Sequence, residues 1–216
     1  MTPSKEMTQR QIDEAVANYR ALLEKHVNEF DAAAAQRALG QSELADEQFA
    51  AFRRRVEMFS NLIVRRTKVN RRLSSRAALA ATGRKQHTDD GVMNGMPFGG
   101  DDEVDVVFFY PELWEYTRPG FMSDDDLEKA LARRGLENDP RAVIAANAAD
   151  PLFADNHPNG AHWKDASGAW CFLVFDRWDG QPCVDVGSDA RGWFNRSCYC
   201  GTAQVASCPQ ASIPVP

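Results

Sequence analysis

The chain has 216 residues, 44% of them hydrophobic, which is enough for one good-sized domain or a domain with an appendage, and a formal net charge of -6. The longest apolar run, residues 169–175, is far short of the roughly 20 residues that span a bilayer, and residues 1–11 are polar rather than signal-like. A cytoplasmic protein with no membrane partner is expected. Five cysteines, all after residue 170, form an odd set that suits reduced thiols or a metal site better than a disulfide framework.

The net charge conceals a split. Residues 1–85 hold 16 Lys and Arg against 10 Asp and Glu, and residues 86–216 hold 9 against 21. Within residues 53–85 there are 11 basic side chains and a single acid, Glu57. Such a field attracts nucleic acid, an acidic protein or the chain's own acidic half.

In chain order, residues 8–39 read as a helix because Ile12, Val16, Tyr19, Leu23, His26, Phe30 and Ala33 follow the 4-3 alternation of a packing seam. Gly40 and Gln41 break the pattern, and Ser42 caps a second helix with its own seam at Ala45, Phe49, Phe52, Val56, Phe59 and Ile63. The short connection predicts an antiparallel helical hairpin over residues 1–85. Its second arm is expected to outrun the first and to carry a basic distal half over residues 65–81.

Residues 86–103, rich in Gly and Asp, read as a linker. Residues 104–208 are expected to form an α+β domain: a buried strand at 104–110, a helix from Ser123 to Gly135, and another from Pro140 to Ala149. A loop follows at 151–167, where Pro158-Asn159-Gly160 signals a turn, and then strands at 169–178, 182–187 and 193–200. Residues 209–216 are a Pro-rich tail. The fold class is therefore α+β, with an N-terminal antiparallel helical hairpin followed by a small antiparallel sheet flanked by helices.

Asp179-Gly180 is a two-residue hairpin signal. It places Asp176 opposite Cys183 and Val174 opposite Asp185, and a further turn near residues 188–191 places Cys183 opposite Arg196. One face then holds Leu173, Phe175, Val184, Val186, Trp193 and Tyr199, a core face, while the other aligns Asp176, Cys183 and Arg196. An arginine beside a thiol lowers its pKa and a carboxylate raises it, so this row is a candidate catalytic site; the alternative is a cross-strand Asp–Arg pair with a small residue between. Cys198, Cys200 and Cys208 form a possible zinc half-site needing a fourth ligand such as Cys183, His157 or His162. Asn156, His157, Asn159, His162 and Asp165 lie near Trp163 and Trp170 in a polar stretch that could bind a small ligand or serve only as a connection.

The phosphate-loop, dinucleotide, HExxH and GxSxG signatures are absent from the sequence. Arg54, Asn61, Arg65, Lys68, Arg72 and Arg76 fall at helical spacing, and with Arg66 and Arg71 they make a row suited to phosphates or acidic side chains. The functional expectation is a non-enzymatic binding protein that contacts an anionic partner, nucleic acid or acidic protein, through its basic hairpin. The alternatives are a small enzyme or zinc-site protein using the C-terminal cysteines, and a self-associating component of a larger assembly.

Overall fold

The computed structural model describes residues 7–188, 193–194 and 199–204. The chain falls into two compact units, Met1–Met58 and Phe59–Pro216.

Among its described residues the first unit holds three α-helices, α1 (Gln9–Lys25), α2 (Ala32–Leu39) and α3 (Glu43–Glu57). Thr8 opens α1 with a capping box to Gln11. The single helix expected over residues 8–39 is interrupted, because His26 Nδ1 turns to Glu29 Oε1 at 2.6 Å and Asp31 caps a new helix by accepting from the Ala34 amide at 2.7 Å. α1 and α3 are the arms of the helical hairpin, bridged where Gln48 Nε2 donates to the Tyr19 hydroxyl at 2.6 Å.

The second arm stops at Glu57 instead of running on to residue 81. Leu62–Lys68 is strand β1, in which Ile63 and Thr67 are buried, Arg65 between them is half-buried, and Val64 and Arg66 face solvent. The β-branched run Ile63, Val64, Thr67 and Val69 favours the extended chain, and pairing with a neighbouring strand outweighs the helical seam that Ile63 prolongs. Helix α4 (Ser75–Ala80) then starts on a Ser74 cap. The stretch expected to be a linker, 86–103, carries most of β2 (Lys85–Thr88) and α5 (Asp90–Asn94), and Val92, Met93 and Met96 bury into the core.

The remaining elements are β3 (Glu103–Phe109), β4 (Phe121–Met122), α6 (Asp124–Arg133), β5 (Leu136–Glu137), α7 (Pro140–Ala149), α8 (Phe153–Asn156), β6 (Asn159–Lys164), β7 (Trp170–Trp178), β8 (Gln181–Gly187), β9 (Trp193–Phe194) and β10 (Tyr199–Gln204). The main sheet runs β1-β3-β10-β6-β7-β8-β2, with β5 paired to β10; β4 and β9 form a separate ribbon. Pairing is antiparallel except at β10–β6 and β2–β8. The second unit is thus a mainly antiparallel sheet flanked by helices.

Strand alternation splits the core between the two faces of this sheet. Val104, Val106, Phe108, Ala161, Trp163, Leu173 and Phe175 pack with Val143 and Ile144 of α7. On the opposite face Val107 and Phe109 pack with Met122, Leu127, Ala130 and Leu131, mostly from α6. Because both faces are covered, β3 is buried on both sides and shows no polar alternation over its apolar run.

Candidate functional site

Arg65, Arg66 and Lys68 lie on β1, Arg71 and Arg72 in the turn after it, and Arg76 on α4, so they do not share a helix face. Arg54 stays on α3 and is exposed. Three of these cations are matched by carboxylates. Arg66 reaches Glu103 Oε1 at 3.2 Å and Asp105 Oδ1 at 3.3 Å, Arg71 grips Asp139 through two contacts of 2.5 and 2.8 Å, and Arg76 meets Asp90 at 2.5 Å. Nearby, the buried Arg84 pairs with Asp155 at 2.7 Å. Part of the charge split along the chain is thereby folded back on itself. Arg65 lays its guanidinium 4.6 Å from the centre of the Phe153 ring. Lys68, Val69, Asn70, Arg71 and Arg72, together with Asp102 and Glu103, line an open depression of about 510 Å³.

The most elaborate polar cluster in the described residues centres on His162. β6 places it, fully buried, on the α6 face of the sheet. Its Nδ1 lies 3.0 Å from Asp124 Oδ1, and its Nε2 lies 3.2 Å from Glu128 Oε2, an ion-pair distance at which the N–H is not aligned for a hydrogen bond. Asp124 and Glu128 are one helical turn apart on α6 and so present both carboxylates to one side. The Trp193 indole donates to Asp124 at 2.9 Å and meets the imidazole edge to face, while Trp170 stacks on it. Gly160 makes room for this arrangement: a Cβ there would stand 2.5 Å from the Leu173 carbonyl oxygen and 3.0 Å from the Trp193 ring.

Burial disfavours the charged imidazole, but the contacts with Asp124 and Glu128 outweigh it and raise the His162 pKa above its ordinary value. Glu128 is lowered in turn, first by His162. With its ring against Trp170 and Trp193 and a carboxylate of α6 beside each nitrogen, His162 ties α6 to β6.

No family model, curated protein or solved structure matches the chain.

The cysteine row is partly formed. Asp176 opposes Cys183 and Val174 opposes Asp185 in the β7–β8 hairpin, as the turn signal implies. The place beside β8 expected for Arg196 is taken by β2, with Lys85 in register with Cys183. Arg196 itself lies outside the described residues. The Cys183 thiol is buried and contacts the Asp176 carbonyl oxygen; burial and the Asp185 charge push its pKa up, the reverse of an activated nucleophile. Of the expected core face, Leu173, Phe175, Val184 and Val186 are in the core, whereas Trp193 packs on the opposite side of the sheet.

Cys198 and Cys208 lie outside the described residues, and Cys200 falls on β10 in register with Gly160. Among the described residues no group of three or more His, Cys, Asp or Glu is placed to hold a metal ion. The stretch expected to be a polar loop includes β6. There Asn159 exchanges amide hydrogen bonds with Asn147 of α7 at 2.9 and 3.1 Å, both side chains buried. Among the described residues no helix is long and apolar enough to cross a membrane.

The helical unit holds a feature of another kind. α1 and α2 bury no residue, and α3 buries Glu57 alone. The seam side chains Ile12, Val16, Tyr19, Phe49, Phe52 and Val56 are all exposed. The seam is legible in the sequence, but that the hairpin leaves it open is visible in the structure alone.

Proposed function

We propose that this is a non-enzymatic interaction protein that works through its helical unit. The observation that carries the reading is the open seam on α1 and α3. Helices of this length are marginal in water, and an amphipathic helix draws most of its stability from covering its apolar stripe. Burying one Phe or Leu contributes about 1.5–3 kcal/mol, so a partner that covers the seam supplies affinity and helix stability together. The free, buried thiols of Cys171 and Cys183 accord with a cytoplasmic setting.

The test is site-resolved crosslinking of the full chain in native extract, comparing wild type with a Phe49→Asp, Phe52→Asp variant. The variant is expected to lose crosslinks formed from residues 7–58 while the second unit keeps its near-ultraviolet circular dichroism. An unchanged set of crosslinked products would sink the reading.

A second reading, contact with an anionic partner, is favoured by the convergence of Lys68 and Arg72 on the open depression. Neither has an ion pair among the described residues, unlike Arg66, Arg71 and Arg76. Two phosphate contacts imply a shallow salt dependence, with log K falling by about 2 per decade of salt. Titrating duplex DNA and an acidic peptide against wild type and a Lys68→Glu, Arg72→Glu variant decides it; equal affinities dismiss this reading.

A further inference from the structure

We infer that the partner of the helical unit is a second copy of this chain, paired antiparallel through α3 about a twofold axis near Ala50 and Ala51. The inference rests on the interaction reading and assigns its occupant. Its ground is the self-complementarity of α3 in both shape and charge.

Ala45, Phe49, Phe52 and Val56 repeat at steps of four, three and four, the spacing of a helix–helix seam. Phe49, Phe52 and Val56 are 55%, 40% and 47% exposed, so the hairpin leaves a substantial apolar surface on each. Laid antiparallel on a second α3, the seam matches itself in one register: Phe49 meets Phe52 of the other copy, and Ala45 meets Val56. No other segment is needed to complete the two layers.

Charge selects the same arrangement. The first half of α3 carries Glu43, Asp46 and Glu47, and the second half carries Arg53, Arg54 and Arg55, with one acid, the buried Glu57, at its end. A parallel pair would set like charges side by side, whereas an antiparallel pair sets each acidic half against a basic half. Helix macrodipoles favour the antiparallel pair as well. Beside the seam, Asp46 and Arg53 follow Ala45 and Phe52 by one residue, so in this register Asp46 of each copy faces Arg53 of the other. Arg53 is already drawn toward the interface, its guanidinium 4.5 Å from the centre of the Phe49 ring. Gln48, through which α3 meets Tyr19 of α1, lies on the flank of the seam away from Asp46 and Arg53; Asp46 is exposed and Arg53 half-buried. An interface made of one patch matched to itself closes at two copies.

Charge exchange in the full-length protein, read by light scattering across a dilution series, tests the pairing. Wild type is expected to form a two-chain species. Asp46→Arg alone and Arg53→Asp alone each replace two attractions with two repulsions and should weaken the dimer roughly ten- to thirtyfold. The chain carrying both exchanges regains opposite charges across the interface and should recover wild-type association, as should an equimolar mixture of the two single variants. Recovery shows that the single variants fail by charge and not by unfolding. A wild type that stays monomeric at micromolar concentration, or a dimer indifferent to all three variants, overturns the inference. If wild type is monomeric yet its helices still crosslink to another protein in a Phe49- and Phe52-dependent way, self-pairing fails while the interaction reading stands.

Discussion

The imidazole of His162 lies flat against the indole of Trp170, with ring centroids 4.5 Å apart and planes 10° from parallel. Lys164 places its ammonium 4.5 Å from the same indole, and the imidazole nitrogens lie 3.0 Å from Asp124 and 3.2 Å from Glu128. The two carboxylates favour the protonated ring and raise its pKa against the cost of burial.

His162→Gln should therefore destabilise the protein by about 2 kcal/mol where His162 is charged, the scale of hydrogen bonds to an ionised group. The sign follows from linkage. A histidine whose folded pKa is raised contributes stability that is fully present below the unfolded value, about 6.5, and is lost as pH rises through the higher folded value. Urea unfolding of both proteins at pH 6 and pH 9 measures it, and the gap should narrow at the higher pH. A gap of the same size at both would mean that packing, and not charge, is what His162 contributes.

Glu115 has an almost fully buried side chain, with Arg134 bonding both of its oxygens at 2.7 Å and Arg133 reaching Oε1 at 2.7 Å. Burial pushes its pKa up, but the hydrogen bonds from Arg134, Arg133 and the Glu112 backbone outweigh this and lower it to about 2. Its stabilising effect is accordingly present above the ordinary glutamate pKa and is lost as pH falls from about 4.5 toward 2. Glu115→Gln leaves two arginines without their shared carboxylate and should cost about 3–5 kcal/mol at neutral pH. The thermal midpoint reports it, and a drop smaller than a degree or so would refute the account.

Gly160→Ala should destabilise by about 2 kcal/mol, as overpacking in a closed core does. The added Cβ meets the Leu173 carbonyl oxygen, a backbone atom of the paired strand that cannot move without disturbing the sheet. Trp193 fluorescence would move to longer wavelength as the indole is displaced from Gly160. A variant with wild-type stability and spectrum would contradict the close approach.

Cys183 should alkylate slowly. Its thiol is 3% exposed at the residue level and its pKa is raised by burial, so the reactive thiolate is scarce at neutral pH. Peptide mapping after brief iodoacetamide treatment is expected to find Cys183 unmodified in the native protein and modified in urea. Native labelling at the rate of a free peptide thiol would reopen the catalytic row.

Local signals proved sufficient where an element and its reason lie within a few residues of each other. Asp179 and Gly180 take positive φ values of 49° and 76°, the backbone of a tight hairpin turn, and the pairing of Asp176 with Cys183 follows from that turn alone. Ser123 caps α6 by accepting from Asp126, and Pro140 occupies the first turn of α7. β1 is different: Arg65 interrupts its apolar alternation, and only Phe153, far along the chain, supplies the aromatic face that receives the guanidinium.

By itself, then, the sequence determined the α+β class, the apolar stripes of α1 and α3, the β7–β8 register and the basic character of residues 53–85, because each depends on spacing along a short stretch. Tertiary structure decided what those features meet. It matched Arg66, Arg71 and Arg76 with acids from distant segments, brought Asp124 and Glu128 to His162 across more than thirty residues, and left the seam of α3 uncovered. Charge pairing and burial depend on neighbours in space, and those neighbours are set when the sheet closes, not by any local pattern.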